Sequence, residues 1–287
     1  MRLTRDNTAI VLDSTSDFPE ARDVHPNMRV VPLYVLFGDE SLKDGVEIAP
    51  AAFYERLEQA PTLPTTRQPT PQDFADCYQE LADAGYERIW SLHVSGKLSG
   101  TYQSACLGAE LAGGGRVKVV DTETASLADA MLALAVQRRL EAGTSDEEIE
   151  ELIDRFRKTC GVVFTVGTLE YLQKGGRIGK AQALAGSLLN VKPILSVADG
   201  EIHPIGRVRG RQKALAEFAK LFGEATTDRE GLRVAIAHAN APEWVDVLTD
   251  LVRRARPQAD IELVEILGAV VGTHAGPGAV GFFWFQD

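Results

Sequence analysis

The chain has 287 residues, 45% hydrophobic and 25% charged, which fits a globular protein of about two domains. A net charge of −11 argues against non-specific binding to nucleic acid or to an anionic membrane, and no window approaches the run of about 18 apolar residues that a membrane span requires. Three widely spaced cysteines (Cys77, Cys106, Cys160) form no C-x-x-C, which argues against a disulfide framework and a zinc site; with no charged-then-apolar signal layout at the N-terminus, they imply a cytoplasmic protein.

"TAIVL" reads as a strand ending at Asp13, with "DSTSDFP" as the polar turn after it. "RVVPLYVLF" is a second β-rich run, and "GDESLKDG" a turn. "APAAFYERLEQA" is helical, with Phe53, Leu57 and Ala60 on one face. "TLPTTRQPTP" is a Pro/Thr loop. It leads into a helix over "PQDFADCYQELADAG", with Pro71 at its start and Gly85 at its end. "RIWSLHV" is a strand, Ser99 an N-cap for the helix through "GTYQSACLGAELA", and "RVKVV" a strand ending at Asp121. "LADAMLALAVQRRLEAG" is an apolar helix stopped by Gly143, and "SDEE" from Ser145 opens the next helix with a capping box. Strands alternating with helices imply an α/β domain over residues 1–160, a parallel sheet flanked by helices.

A C-terminal mixed α/β domain is expected over 161–287. "GVVFTV" and "KPILSV" read as buried strands with an apolar helix, "AQALAGSLLN", between them. "KPILSVAD" and "GEIHPIGRVRG" meet at a "DG" turn, as an antiparallel hairpin does. Helix, strand, helix and strand follow through "ALAEFAKLFGEA", "LRVAIAHA", "PEWVDVLTDLVRRA" and "IELVEIL", before the closing "GAVVGTHAGPGAVGFFWFQD".

Several chemistries are excluded. The stretch nearest a Walker A loop, "KGGRIGKA", has Lys174 in place of the first glycine and Ala181 in place of Ser/Thr. No G-x-G-x-x-G follows a strand, and "GKLSG" puts Ser99 one place late for a nucleophile elbow. The five histidines (25, 93, 203, 238, 274) share no metal-ligand spacing, so no metal or cofactor is expected. What remains is positional. Ligands of open α/β sheets sit beyond the carboxyl ends of strands, where "DSTSD", "SGKLSG" and "DTETAS" fall. The middle cluster also opens a helix, whose amides, with hydroxyls from Ser95, Ser99 or Thr101, favour an anion; the plainer reading is that Ser99 only caps the helix.

Taken together, "DSTSD", "VVPLYV", "PTTRQPTP", "SGKLSGTYQSA", "KGGRIGK", "VKPIL", "GRVRGRQKA" and "GTHAGPGAVG" resemble the DegV family, in family order from Ile10 to Gly281. The resemblance implies a carrier and not an enzyme, so no catalytic residue is assigned. One long-chain fatty acid would lie between the two domains, with its tail in an apolar tunnel, and a separate ATP-binding kinase subunit would phosphorylate its carboxylate. Thr66, Ser95 and His274 fall on the family's carboxylate-binding positions. Two departures sit at the head-group end: Arg67 replaces a common serine, and the usual Ser-Ser pair is Ser95-Gly96. Arg67, Gly96 and Ser99 are therefore secondary head-group candidates. The two basic clusters "KGGRIGK" and "GRVRGRQK" make Arg177, Arg207 and Arg209 candidates for the kinase interface. Two alternatives are carried. One is an acyl ester or thioester hydrolase with Ser95 as nucleophile, His274 as base and Asp13, Asp17 or Asp121 as third member. The other is a sugar- or phosphate-binding module, which would need a polar cleft.

Overall fold

The structure, a computed structural model, describes residues 1–184 and 191–287. In chain order its first half contains β1 (Thr8–Asp13), α1 (Ala21–Val24), β2 (Met28–Val31), β3 (Tyr34–Phe37), β4 (Glu40–Lys43), α2 (Pro50–Gln59), β5 (Thr65–Arg67), α3 (Pro71–Asp83), β6 (Arg88–His93), α4 (Thr101–Leu111), β7 (Val117–Asp121), α5 (Leu127–Ala142) and α6 (Asp146–Thr159). The second half contains β8 (Gly161–Thr165), α7 (Glu170–Lys174), β9 (Val191–Ala198), β10 (Glu201–Arg209), α8 (Arg211–Ala225), β11 (Leu232–His238), α9 (Val245–Ala255), β12 (Asp260–Ile266), α10 (Ala269–Ala275) and β13 (Val280–Gln286).

Strands β2-β1-β6-β7 form an all-parallel sheet. All six residues of β1 are buried, as a central parallel strand covered on both faces requires. The second sheet runs β10-β9-β8-β13-β11-β12 and is mixed: β11 and β12 are parallel, and the other pairs are antiparallel. Helix α5 lies between the two sheets and touches β1 and β6 on one side and β11 and β13 on the other. That position explains its composition, because a helix covered by two sheets has no polar face. Its C-terminal end is tied to the second sheet by Arg138, which pairs with Asp287 at 2.6 Å and with Glu262.

Local signals hold where they are local. Thr70 accepts from Asp73 N and Asp73 answers at Thr70 N, a capping box with Pro71 in the first turn; Ser145 and Glu148 repeat the device on α6. Asp199 and Gly200 both have positive φ, which closes the β9–β10 hairpin.

Other expectations are corrected. "RVVPLYVLF" is not one strand: it breaks at Pro32, which has no amide to donate to a ladder. Its second part, β3, leaves the parallel sheet and pairs with β4, inside the supposed turn "GDESLKDG", and with β5, inside the supposed Pro/Thr loop. The result is a small antiparallel sheet, β4-β3-β5, that packs on α10 through β3 and β5. Gly100, not Ser99, is the N-cap of α4; Ser99 Oγ receives the Thr101 amide at 3.3 Å from one residue further out. Of the expected helix "AQALAGSLLN", Ala181–Leu184 belongs to a 3-10 turn over Gly179–Leu184, and residues 185–190 lie outside the described residues.

Candidate ligand-binding cavity

The carboxyl ends of β1, β6 and β7 are organised by buried hydrogen bonds. Asp13 Oδ2 accepts from His93 Nδ1 (2.9 Å) and Val94 N (3.2 Å), while Oδ1 accepts from Thr15 N (3.0 Å) and Thr15 Oγ1 (2.5 Å). On its other side His93 Nε2 meets Ser91 Oγ at 2.6 Å, and Ser91 meets Tyr78 OH at 2.7 Å. One carboxylate thus fixes both the "DSTSD" loop and the exit of β6. The Asp13–His93–Ser91 bonding resembles a catalytic triad, but Ser91 and His93 are 0% exposed, so no substrate reaches them. Burial pushes Asp129 on α5 well above the usual carboxylate range. Its Oδ1 accepts from Thr122 Oγ1 at 2.6 Å, and the same hydroxyl lies 2.8 Å from the His93 carbonyl.

Between the halves lies a cavity of about 550 Å³. Val162, Phe164, Gly281 and Phe283 of the second sheet form one wall, and Val270, Val271, His274 and Ala275 of α10 form another. The first half adds Thr15, Leu33, Thr66, Val94 and Leu98. Arg67 and Arg177 are the cationic lining residues, and no Asp or Glu lines the cavity among the described residues.

The polar cluster on this wall is assembled from distant segments. Thr66, on β5, places Oγ1 2.8 Å from His274 Nε2 on the last turn of α10. Burial, with the nearby Arg177 guanidinium, pulls His274 down to about 4, so the imidazole is neutral at physiological pH. Its Nδ1 is buried without a hydrogen-bond partner among the described residues. Arg177 donates from Nε to Leu98 O (3.0 Å) and from Nη1 to Gly175 O (2.7 Å), bridging the segment after α7 to the loop after β6. Two glycines make this fit possible: a Cβ at Gly175 would lie 2.3 Å from His274 Nδ1, and one at Gly276 would lie 2.3 Å from the Tyr171 ring.

Not every sequence candidate reaches the cavity. Ser95 is 1% exposed and is not a lining residue; its hydroxyl donates to Gly200 O in the β9–β10 turn at 2.8 Å. Lys97 Nζ donates to Asp199 O beside it (2.7 Å), so the hairpin turn sits on the Ser95 loop. Gly96 is exposed and its amide donates to Asp121 Oδ2 at 3.1 Å; a Cβ there would come within 2.9 Å of that oxygen, so a serine would have to displace the carboxylate. Ser99 lines the cavity and is hydrogen-bonded to Thr101 Oγ1 at 2.8 Å. Arg67 lines the mouth with its guanidinium 4.3 Å from the Tyr34 ring centroid. Arg207 and Arg209 are exposed on β10, away from the cavity wall, whereas Arg177 is part of that wall. Among the described residues no hydrogen bond joins Ser95 to His274 and no carboxylate is hydrogen-bonded to either, so the hydrolase arrangement is not assembled.

Fold and cavity together define a class: an α/β protein of two large sheets and one small one, with an apolar chamber between its halves and a hydroxyl–imidazole–guanidinium cluster on the chamber wall. A family model described as an uncharacterised protein of the DegV family matches residues 7–287. The chain belongs to the DegV family. The structure of a DegV family protein from Thermus thermophilus, described as fatty acid binding, is 40% identical; the match covers 98% of this chain and 100% of that one, with a TM-score of 0.88. That of DegV from Bacillus subtilis, described as a fatty acid binding protein, is 34% identical, with 98% and 99% covered and a TM-score of 0.88. A relative from Thermotoga maritima named fatty acid-binding protein is 35% identical over 95% of this chain and 96% of its own length.

Proposed function

We propose that the chain binds one long-chain fatty acid in the cavity between its halves and presents the carboxylate to a separate kinase subunit for acyl-phosphate formation. The observation that carries the reading is the cavity itself: an apolar chamber with the Thr66–His274–Arg177 cluster on its wall and no acidic lining side chain among the described residues. Its volume falls within the roughly 300–1,000 Å³ of small-molecule sites. The fatty-acid-binding relatives, alike over nearly the whole chain, support the same ligand class.

The energetics fit. A sixteen-carbon tail carries about 14 methylenes at ~0.8 kcal/mol each, a gross gain near 11 kcal/mol, reduced by several kcal/mol of lost ligand freedom. A buried carboxylate needs donors, each worth about 1.5–3 kcal/mol when the bond is charge-assisted. With its proton on Nε2, neutral His274 donates to Thr66 Oγ1, and the Thr66 hydroxyl proton turns to the ligand. Arg177, which has no carboxylate partner among the described residues, supplies the charge. Ser95, closed by Gly200 O, joins this cluster only if the β9–β10 turn moves. The kinase would meet the exposed face of β10, where Arg207 and Arg209 stand two residues apart.

Titration of delipidated protein with palmitate and with methyl palmitate tests the head-group reading. Saturable binding of palmitate, tighter than that of the ester, is expected; no saturable binding of either would refute the proposal. Acyl-phosphate formation with a cognate kinase subunit and ATP tests the second half of the proposal separately.

A further inference from the structure

We infer that Asp17 and Asp44 are positioning residues for the head-group cluster: they hold the N-terminus of α10 and so set where His274 meets Thr66. The inference rests on the fatty-acid reading above and assigns a role to Asp17, the acidic end of "DSTSD", which, unlike Thr15 of the same motif, does not line the cavity.

A helix begins with amides that have no partner inside it, and a nearby side chain normally serves them. In α10 the N-cap is Gly268, which has no side chain to offer. Its acceptors come from remote segments. Gly268 N donates to Asp17 Oδ1 at 2.7 Å, Ala269 N to Asp44 Oδ1 at 2.8 Å, and Val270 N to Asp44 Oδ2 at 3.4 Å. Asp17 closes the loop after β1, and Asp44 follows β4 of the small sheet. The partners are 251 and 225 residues away in the chain, so the three parts of the molecule that build the cavity meet at this point. Asp17 is itself held by Ser126 Oγ at 2.5 Å, and both Asp17 (φ 52°) and Ser126 (φ 62°) have the positive φ that non-glycine residues seldom adopt. Tyr54 OH donates to Leu267 O at 3.0 Å and fixes the entry to the helix.

Both carboxylates are 3% exposed. Keeping two acids out of water opposes folding, and burial raises both: Asp44 to about 6 and Asp17 well above the carboxylate range. A local Ser or Asn would cap a seven-residue helix at less cost. The arrangement used instead ties the helix to both the small sheet carrying Thr66 and the first polar loop. At about 1.5 Å per residue α10 is only about 10 Å long, so a shift at its N-terminus is carried directly to His274, its sixth residue. Gly268 leaves no slack, since a Cβ there would lie 3.1 Å from both Asp17 Oδ1 and Asp44 Oδ1.

The test compares delipidated wild type, Asp17→Asn, Asp44→Asn and Gly268→Ala for affinity to palmitate and to methyl palmitate, with thermal melting in parallel. In each folded variant palmitate affinity should fall on the order of tenfold, the loss of about one charge-assisted head-group bond, while methyl palmitate affinity changes little. An unchanged ratio of the two affinities, or an equal loss on both probes, overturns the inference and leaves the two acids as scaffold only. A wild type that does not prefer palmitate refutes the head-group reading instead. Gly268→Ala keeps both carboxylates and decides the matter should either Asn variant fail to fold.

Discussion

Asp44→Asn should change the pH dependence of stability in a direction set by the structure. Burial lifts Asp44 from its ordinary 3.8 to about 6, partly countered by the Ala269 and Val270 amides and Ser14 and reinforced by the charge of Asp13. Asp17 shares the N-terminus of α10 with it, and Arg29 lines the small cavity beside both. The folded state therefore binds the Asp44 proton more tightly than the unfolded state does. The Asp44 contribution to wild-type stability falls as pH rises from about 4 to about 6, and its full penalty stands at pH 7. About two pH units at 1.36 kcal/mol each give ~3 kcal/mol. Asparagine carries no such proton. Whatever constant cost the substitution brings through the α10 amides, the stability of Asp44→Asn minus that of wild type should rise by ~3 kcal/mol between pH 4 and pH 7.5. Removing the Asp44 charge also relieves Asp17, which adds to the same sign. His274 works in the opposite sense: its depressed value makes stability rise as pH climbs from about 4 to its ordinary 6.5. It is present in both proteins and cancels in the difference. Urea unfolding of the pair across this range is the assay. Parallel pH profiles would refute the reasoning, because they would mean that Asp44 is not kept from water as the structure has it.

Other outcomes follow from named contacts. Val162→Phe places a ring in the cavity and should weaken palmitate binding at least about tenfold while the melting temperature stays within a few degrees, read by titration and calorimetry. Gly272→Ala brings a Cβ within 2.6 Å of Tyr54 OH and 2.8 Å of Phe53 Cε1, and should cost about 1–3 kcal/mol in chemical denaturation. Arg209→Glu should leave fatty-acid affinity unchanged but slow association with a cognate kinase subunit and flatten its salt dependence, measured as acyl-phosphate formation against carrier concentration at two ionic strengths. Arg177→Glu should lower palmitate affinity itself, because that guanidinium belongs to the cavity wall.

What was legible in the sequence follows the range of the interactions involved. The start of α3 at Pro71, the α6 capping box, the "DG" hairpin and the parallel first sheet rest on residues a few positions apart, or on periodicity, and are read directly. The small sheet was hidden because β4 and β5 are three to four residues long, polar and partly exposed, which is also how a turn looks. Thr66 and His274 stand 208 residues apart, and only the family resemblance paired them. The Asp17 and Asp44 bonds to α10 had no local signature, because the helix N-cap is a glycine and the acceptors lie in other segments. Arg177 reads as a surface charge in "KGGRIGK"; only the fold turns it onto the Leu98 carbonyl and the cavity.

The central claim is that the chamber between the halves holds a fatty acid. The most direct measurement is to denature the purified protein, extract it and identify the lipid by mass spectrometry, and then to reload the stripped protein with palmitate or oleate under native conditions. The account predicts about one fatty acid per chain in the extract and the same stoichiometry on reloading. A lipid-free extract from a folded protein that also takes up neither acid would contradict it.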